Sequence, residues 1–219
     1  MIPSGPHTRA ALFVPAVMES HMTRFIVNFD YLCPFARIAN EIVIRAIEGG
    51  ADHDVSFRAF SLSQVHTEEG DLEVWRTEPR PSGVTALEWG LAVRDEFPEA
   101  FKAAHLALFS ARHDHGRDIN DLEVVREAVA SAGLDPDEVA KVVAGGQPAK
   151  ALASDHTWSV DEHRAFGVPT FFLEDRAVFI RLMQRKTDPA EARATLDRLL
   201  DVLTGWPELN ELKATRIPR

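Results

Sequence analysis

One cysteine occurs in this chain, in Cys33-Pro34-Phe35-Ala36. The run before it, Phe25-Ile26-Val27-Asn28-Phe29, is aromatic and β-branched and predicts a buried strand. Pro34 suits the first turn of a helix, where its missing N–H leaves nothing unpaired. A thiolate at such a junction is stabilised by free backbone N–H groups and by the positive end of the helix dipole. The placement therefore predicts a cysteine more acidic than the free residue, whose pKa is about 8.5. The plain alternative is a small apolar side chain in the core, a common fate of free cysteine. Gly167-Val168-Pro169-Thr170 is the second feature. Proline seldom sits in a central strand. A cis Val168–Pro169 bond would turn the Val168 backbone toward a ligand on the sheet, although cis is the minority state and spacing alone does not favour it. Asp30 is placed either to accept a proton or to cap a turn. His113-Asp114-His115 reads as a solvated loop, because a metal site needs three or more ligands in a defined geometry; no metal is expected.

The elements that must position these residues follow from periodicity. Ile38, Ala39, Ile42, Ala46 and Ile47 give the segment after Pro34 a helical apolar face, ended by Gly49-Gly50. His53 to Leu62 alternates and predicts a second strand, parallel to the first across the helix. Thr67 to Pro81 is polar and Pro-rich and predicts a mobile loop. From Val84 to about Leu152 helical periods take over, with breaks at Pro98 and Gly133 and an acidic helix start at Asp135-Pro136-Asp137-Glu138. Trp89, Phe97, Phe101 and Phe109 there read as helix core, with one or two open to lining a cleft above Cys33. A further helix is expected from Pro148 to Phe166. Strands return at Val168–Leu173 and Ala177–Ile180 as a hairpin, and a last helix starts at Thr187-Asp188-Pro189 and stops at Gly205. The order β-α-β, helical block, α-β-β-α is that of an α/β protein carrying a helical insertion. The insertion is expected to cap the Cys33 end of the sheet, since ligands of open α/β sheets bind beyond the strand carboxyl ends.

Composition excludes several classes. A formal charge of −10 argues against non-specific binding to nucleic acid or an anionic membrane surface. No apolar run approaches the roughly 20 residues of a membrane-spanning helix. A single cysteine allows no disulfide framework within the chain and suits a reducing compartment, so a cytoplasmic location is expected, although export is also compatible. Met1 to Arg24 contains Pro3, Pro6 and Pro15 and reads as a flexible extension. Its apolar stretch Ala10–Met18 is short for a secretory signal and lacks a clean cleavage site.

Together, Phe29-Asp30-Tyr31-Leu32-Cys33-Pro34-Phe35, Gly167-Val168-Pro169-Thr170-Phe171, the helix after Asp188 and the closing Glu208-Leu209-Asn210-Glu211-Leu212-Lys213 carry a resemblance. From Phe25 onward the chain resembles the DsbA-like branch of the thioredoxin superfamily. It looks most like FrnE-type oxidoreductases and mycothiol-dependent reductases, relatives of the kappa glutathione transferases and hydroxychromene-carboxylate isomerases. The resemblance implies a thioredoxin fold with an all-helical insertion. It implies an extension at 1–24, a thioredoxin-like domain at 25–65 and 153–204, an insertion at 66–152 and a tail at 205–219. It implies a nucleophile at Cys33, supported by Pro34, and a cis bond before Pro169, with Val168, Thr170 and Arg185 contacting a thiol co-substrate. Arg181 and Arg185 fall where related transferases hold their cofactor's carboxylates. Those relatives show Ser-Asp-Arg where this chain has Met183-Gln184-Arg185.

One departure sets the expected mechanism. Oxidoreductases of this family usually carry Cys-Pro-x-Cys, and here the fourth position is Ala36. A mixed disulfide at Cys33 then needs an outside thiol to resolve it. The expected activity is a monothiol thiol-disulfide oxidoreductase with no tightly bound cofactor. Mycothiol or glutathione serves as co-substrate, and the substrate is a disulfide or an electrophilic small molecule. A thiol-cofactor-dependent transferase or isomerase and a non-catalytic binding protein are the alternatives. A homodimer is left open.

Overall fold

The computed structural model describes residues 22–211 together with 213 and 214. The expectations for the N-terminal extension up to residue 21, and for Leu212 in the tail motif, lie outside the described residues. The first strand, β1 (Arg24–Phe29), leads through a tight turn into α1 (Pro34–Glu48), and α1 crosses over to β2 (Asp54–Ala59). β2 pairs parallel to β1. After a long excursion, β3 (Thr170–Phe172) returns antiparallel to β1, and β4 (Ala177–Phe179) pairs antiparallel to β3. The sheet order is β2-β1-β3-β4.

Register gives the sheet two distinct faces. Val27 is opposite both Phe57 and Phe171, so these three point the same way, with Phe25 and Phe29 beside them on β1. Against that face lies a helix described below, which brings Phe101 and His105 to Phe57 and Phe29. On the opposite face, Arg58 and Phe172 meet Trp158.

The excursion is helical. It comprises α2 (Leu62–Val65), a 3₁₀ turn at Val74–Arg76, α3 (Val84–Glu96), α4 (Pro98–His113), α5 (Leu122–Ser131), α6 (Pro136–Ala144) and α7 (Gln147–Thr157). The last helix, α8 (Pro189–Gly205), buries Ala192, Leu196, Leu200 and Leu203 as its stripe predicts. It runs against α1, and Gly49 permits the approach: a Cβ there would lie 2.5 Å from the Pro189 carbonyl oxygen.

The insertion is anchored at the turn that carries the cysteine as well as on the sheet. Leu32 packs against Gly83, the N-cap of α3. The His113 Nε2–H at the end of α4 donates to the Tyr31 carbonyl at 2.9 Å. The reading of the insertion's aromatic residues as helix core holds, and Phe97 packs partly buried against that core. Trp89, Phe101 and Phe109 are core residues, because Phe57, Tyr31 and His105 fill the space beside the latter two.

Three local expectations need correction. The helix expected over Pro148–Phe166 is α helix only to Thr157; it continues as a π-type turn over Trp158–Glu162, and Arg164 adopts φ 55. The loop expected to be mobile is pinned: Val74 and Trp75 are buried, the Val74 N–H donates to Gln64 Oε1 at 2.9 Å, and Trp75 packs on His156. Leu72, Val74 and Trp75 among charges gave no period to read. The expected boundary at 152/153 falls inside α7, one continuous helix that packs on both α3 and β2.

Gly90 of α3 lies against Tyr31 of the cysteine turn. A Cβ there would stand 2.3 Å from Tyr31 Oη, which is buried and bonded to His105 Nδ1 at 2.8 Å. The phenol cannot swing aside without breaking that bond. Gly90→Ala is therefore expected to destabilise by about 1–3 kcal/mol, despite the better helix propensity of alanine. Urea denaturation measures it, and a variant as stable as the parent would show that the contact between α3 and the turn is slack.

Candidate functional site

Cys33 is the N-cap of α1, with extended backbone (φ −89, ψ 117) and Pro34 following as the first helical residue. Its Sγ accepts the Ala36 N–H at 3.4 Å. On its other side, Sγ–H donates to the Val168 carbonyl oxygen at 3.4 Å. The Val168–Pro169 peptide is cis. The structure thus brings Cys33, Pro34, Val168 and Pro169 together, across 135 residues of sequence in the case of Cys33 and Val168.

The expected acidic thiol is not what this geometry produces. Burial pushes the Cys33 pKa above its ordinary value, and the Asp30 carboxylate adds to the rise. The Ala36 and Phe35 N–H groups and the Arg181 guanidinium pull the other way without prevailing. Cys33 is 8% exposed, so most of the hydration a thiolate would need is gone. The Val168 carbonyl accepts a proton-bearing Sγ and so also favours the thiol. Asp30 is held as a turn cap. Its two oxygens accept the Leu32 N–H at 2.8 Å and the Leu62 N–H at 2.7 Å, while burial lifts its own pKa to about 6.

A buried polar network, not anticipated from the sequence, fixes both halves of the site. Asn28 Nδ2 donates to the Gly167 carbonyl at 3.3 Å, and Asn28 Oδ1 accepts the Thr170 N–H at 2.6 Å. One side chain of β1 therefore clamps the backbone on both sides of Val168-Pro169. Asn40 Nδ2 reaches the Ala36 carbonyl at 2.8 Å and the Asn28 carbonyl at 3.4 Å. Asn40 Oδ1 accepts His105 Nε2–H at 3.1 Å, and His105 Nδ1 accepts the Tyr31 hydroxyl. The one available signal was an asparagine inside an otherwise apolar strand.

Two expected contacts with a thiol co-substrate are corrected. Thr170 is buried; its hydroxyl donates to the Gly167 carbonyl at 2.8 Å and its N–H is taken by Asn28, so it shapes the turn and offers nothing outward. Arg185 grips buried Glu41 with two hydrogen bonds, of 2.5 and 2.6 Å, and lies 3.4 Å from Asp114, which also pairs with Arg37. Its fork is filled by a carboxylate of α1 and is not open to a ligand. His113 and Asp114 are likewise engaged, with Tyr31 and the arginines. Among the described residues no group of three metal-ligating side chains occurs, and no helix is long and apolar enough to cross a membrane.

A family model described as the DSBA-like thioredoxin domain matches residues 25–186. No curated protein sequence matches the chain at a significant level. Among solved structures, the cytosolic disulfide reductase DsbM from Pseudomonas aeruginosa, solved with GSH, is 20% identical with a TM-score of 0.55, covering 81% of this chain and 98% of that one. A probable DsbA oxidoreductase from Streptomyces coelicolor is 21% identical with a TM-score of 0.56, covering 88% and 93%. A thioredoxin-like oxidoreductase from Silicibacter pomeroyi is 18% identical with a TM-score of 0.53, covering 82% and 88%. At these identities the likeness is one of fold.

Proposed function

The chain belongs to the DSBA-like thioredoxin-domain family, and on that premise we propose that it is a monothiol thiol-disulfide oxidoreductase whose nucleophile is Cys33. The observation that carries this reading is the placement of Sγ between the first turn of α1 and the carbonyl of the cis Val168–Pro169 peptide. In the forward step the Cys33 thiolate attacks one sulfur of a disulfide. A bond forms to Cys33, the S–S bond breaks, and the other half leaves as a thiolate. With Ala36 in the place of a second cysteine, an external thiolate then attacks the mixed disulfide and releases Cys33. Glutathione or mycothiol supplies that thiol, in the cytoplasm. Thiol is the resting form at neutral pH, so the rate of attack rises with pH toward the raised pKa of Cys33.

The thiol-cofactor transferase reading loses ground because Arg185 is occupied by Glu41. The burial of Cys33 favours, as a second reading, a binding protein that keeps the fold and holds its cysteine as core. Intact mass after incubation with oxidised glutathione, and separately with oxidised mycothiol, at neutral and alkaline pH separates the two. The oxidoreductase gains one thiol adduct with at least one of them, faster as pH rises, and Cys33→Ser gains none while keeping its melting temperature. A parent protein that takes up no adduct with either at any pH below unfolding is a binding protein.

A further inference from the structure

The Cys33 sulfur is held between two backbone groups, the Ala36 N–H and the Val168 carbonyl, each 3.4 Å away. One residue is bonded toward both of the walls that carry them. Asn28 sits near the end of β1 and is fully buried. The β1–β3 ladder pairs Ile26 with Phe172 and Val27 with Phe171, and the same register sets Asn28 opposite Thr170. There the ladder stops, next to Pro169, which has no N–H to give it. The Asn28 side chain takes over: Oδ1 accepts the Thr170 N–H at 2.6 Å and Nδ2 donates to the Gly167 carbonyl at 3.3 Å. A side-chain amide offers a donor and an acceptor on separate atoms, and its burial is costly unless both are used. Here both are spent on the turn, one on each side of Val168-Pro169, which fixes the direction of the Val168 carbonyl between them. On the other wall, Asn40 Nδ2 of α1 donates to the Asn28 carbonyl at 3.4 Å and to the Ala36 carbonyl at 2.8 Å. The charged groups that face the sulfur come from other segments. Asp30 belongs to the turn after β1, and Arg181, stacked on Phe35 with no carboxylate at ion-pair distance among the described residues, to the segment after β4. Asn28 bonds to neither.

We propose that Asn28 is a positioning residue for exchange at Cys33: by clamping the cis Val168–Pro169 turn it holds the Val168 carbonyl on Sγ and keeps the resting sulfur protonated. The inference rests on the thiol-disulfide exchange reading and adds what sets the reactivity of the nucleophile. A carbonyl fixed at Sγ accepts the thiol proton and has nothing to accept from a thiolate, so it stabilises only the protonated form. Without the clamp the carbonyl is free to turn from the sulfur, and the thiol loses that preference. Removing Asn28 therefore makes the nucleophile more reactive at neutral pH, whereas removing a merely structural residue lowers stability alone. The Ala36 N–H acts from the opposite side and favours the thiolate. Loosening the α1 wall through Asn40 has no such activating effect.

The test is the pH profile of Cys33 alkylation by iodoacetamide, followed by intact mass, in the parent, Asn28→Ala and Asn40→Ala. Asn28→Ala is expected to move the midpoint down by about 0.5–1 pH unit, the worth of one net hydrogen bond read as ionisation. Mixed-disulfide formation with oxidised glutathione at neutral pH should then run roughly two- to threefold faster, because the gain in thiolate exceeds its loss of nucleophilicity. Asn40→Ala removes buried hydrogen bonds on the α1 side and should leave the midpoint in place or raise it. Asn28→Ser, with a hydroxyl too short to reach both backbone groups, should shift it in the same direction as Asn28→Ala and carries the test if the alanine variant does not melt cooperatively. An unchanged midpoint in a cooperatively melting Asn28 variant overturns the assignment. So does an equal fall in Asn40→Ala, which would mean that water entering a loosened core is the cause. A parent that alkylates but takes up neither oxidised glutathione nor oxidised mycothiol sinks the exchange reading and this inference with it; the alkylation midpoint, read without any disulfide, tells that failure from failure of the clamp.

Discussion

Ala36→Cys is expected to cut the lifetime of a Cys33 mixed disulfide roughly a hundredfold or more at about 1 mM external thiol, since oriented intramolecular reactions reach effective molarities far above any solution concentration. The geometry is already in place. The Ala36 N–H touches Cys33 Sγ, and Ala36 lies on the first turn of α1, three residues on. Residues three apart on a helix are side-chain neighbours, within the span a disulfide bridges. The new thiol attacks Cys33 Sγ, forms the internal disulfide and expels the small thiolate. Position 36 is fully buried, so the new side chain meets the core, and a stability loss of about 1–3 kcal/mol accompanies the change. Adduct decay is followed by intact mass after removal of excess disulfide. A variant adduct that decays at the parent's rate, in a protein that melts cooperatively, would show that Sγ and position 36 do not face each other and that the site is built differently from the dithiol members of the family.

Acid should unfold the protein through His105, well before its surface carboxylates matter. The imidazole is fully buried between Tyr31 and Asn40, and burial lowers its pKa from 6.5 to about 3. The unfolded chain takes up that proton near pH 6.5 and the folded chain only near 3. Stability from His105 is therefore complete above about pH 6.5 and is lost as pH falls. His156, lowered to about 4 by burial, acts in the same direction. Asp30 opposes: its folded pKa of about 6 lies above its ordinary 3.8, so between those values the folded state holds the extra proton and gains as pH falls. Two histidines against one aspartate leave a net uptake of about one proton on unfolding between pH 4 and 6. The expected slope is roughly 1.4 kcal/mol of stability lost per pH unit. Urea midpoints at pH 4.5, 5.5 and 7 measure it. His105→Gln should flatten the dependence toward zero, since one histidine then offsets Asp30. A parent and variant of equal slope would mean that His105 is protonated or hydrated in the folded state.

Short-range features of the sequence determined the scaffold of the site. The aromatic and β-branched run at 25–29 became β1, Pro34 took the first position of α1, and Asp188-Pro189 opened α8 as its cap chemistry requires. The helical insertion was legible because its period changes from that of the flanking strands. These signals act within a few residues, where backbone dihedrals and capping are decided. What the cysteine does electrostatically was not legible. A helix N-terminus argued for an acidic thiol, whereas burial by groups distant in sequence, with Asp30 folded beneath the turn, argued more strongly the other way. Arginines could not be ranked from their position after the last strand either. Glu41, 144 residues from Arg185, claimed one guanidinium, and Phe35 stacked under the other. Asn28, Asn40 and His105 gave no periodic signal, since a buried hydrogen bond depends on a partner's position in space and not on spacing along the chain. The sequence by itself determined which elements form and where the sulfur sits on them. Only the tertiary structure decided how much water the sulfur keeps, which charges face it and which cation is left unpaired beside it, because desolvation and ion pairing are summed over neighbours that the fold alone brings together.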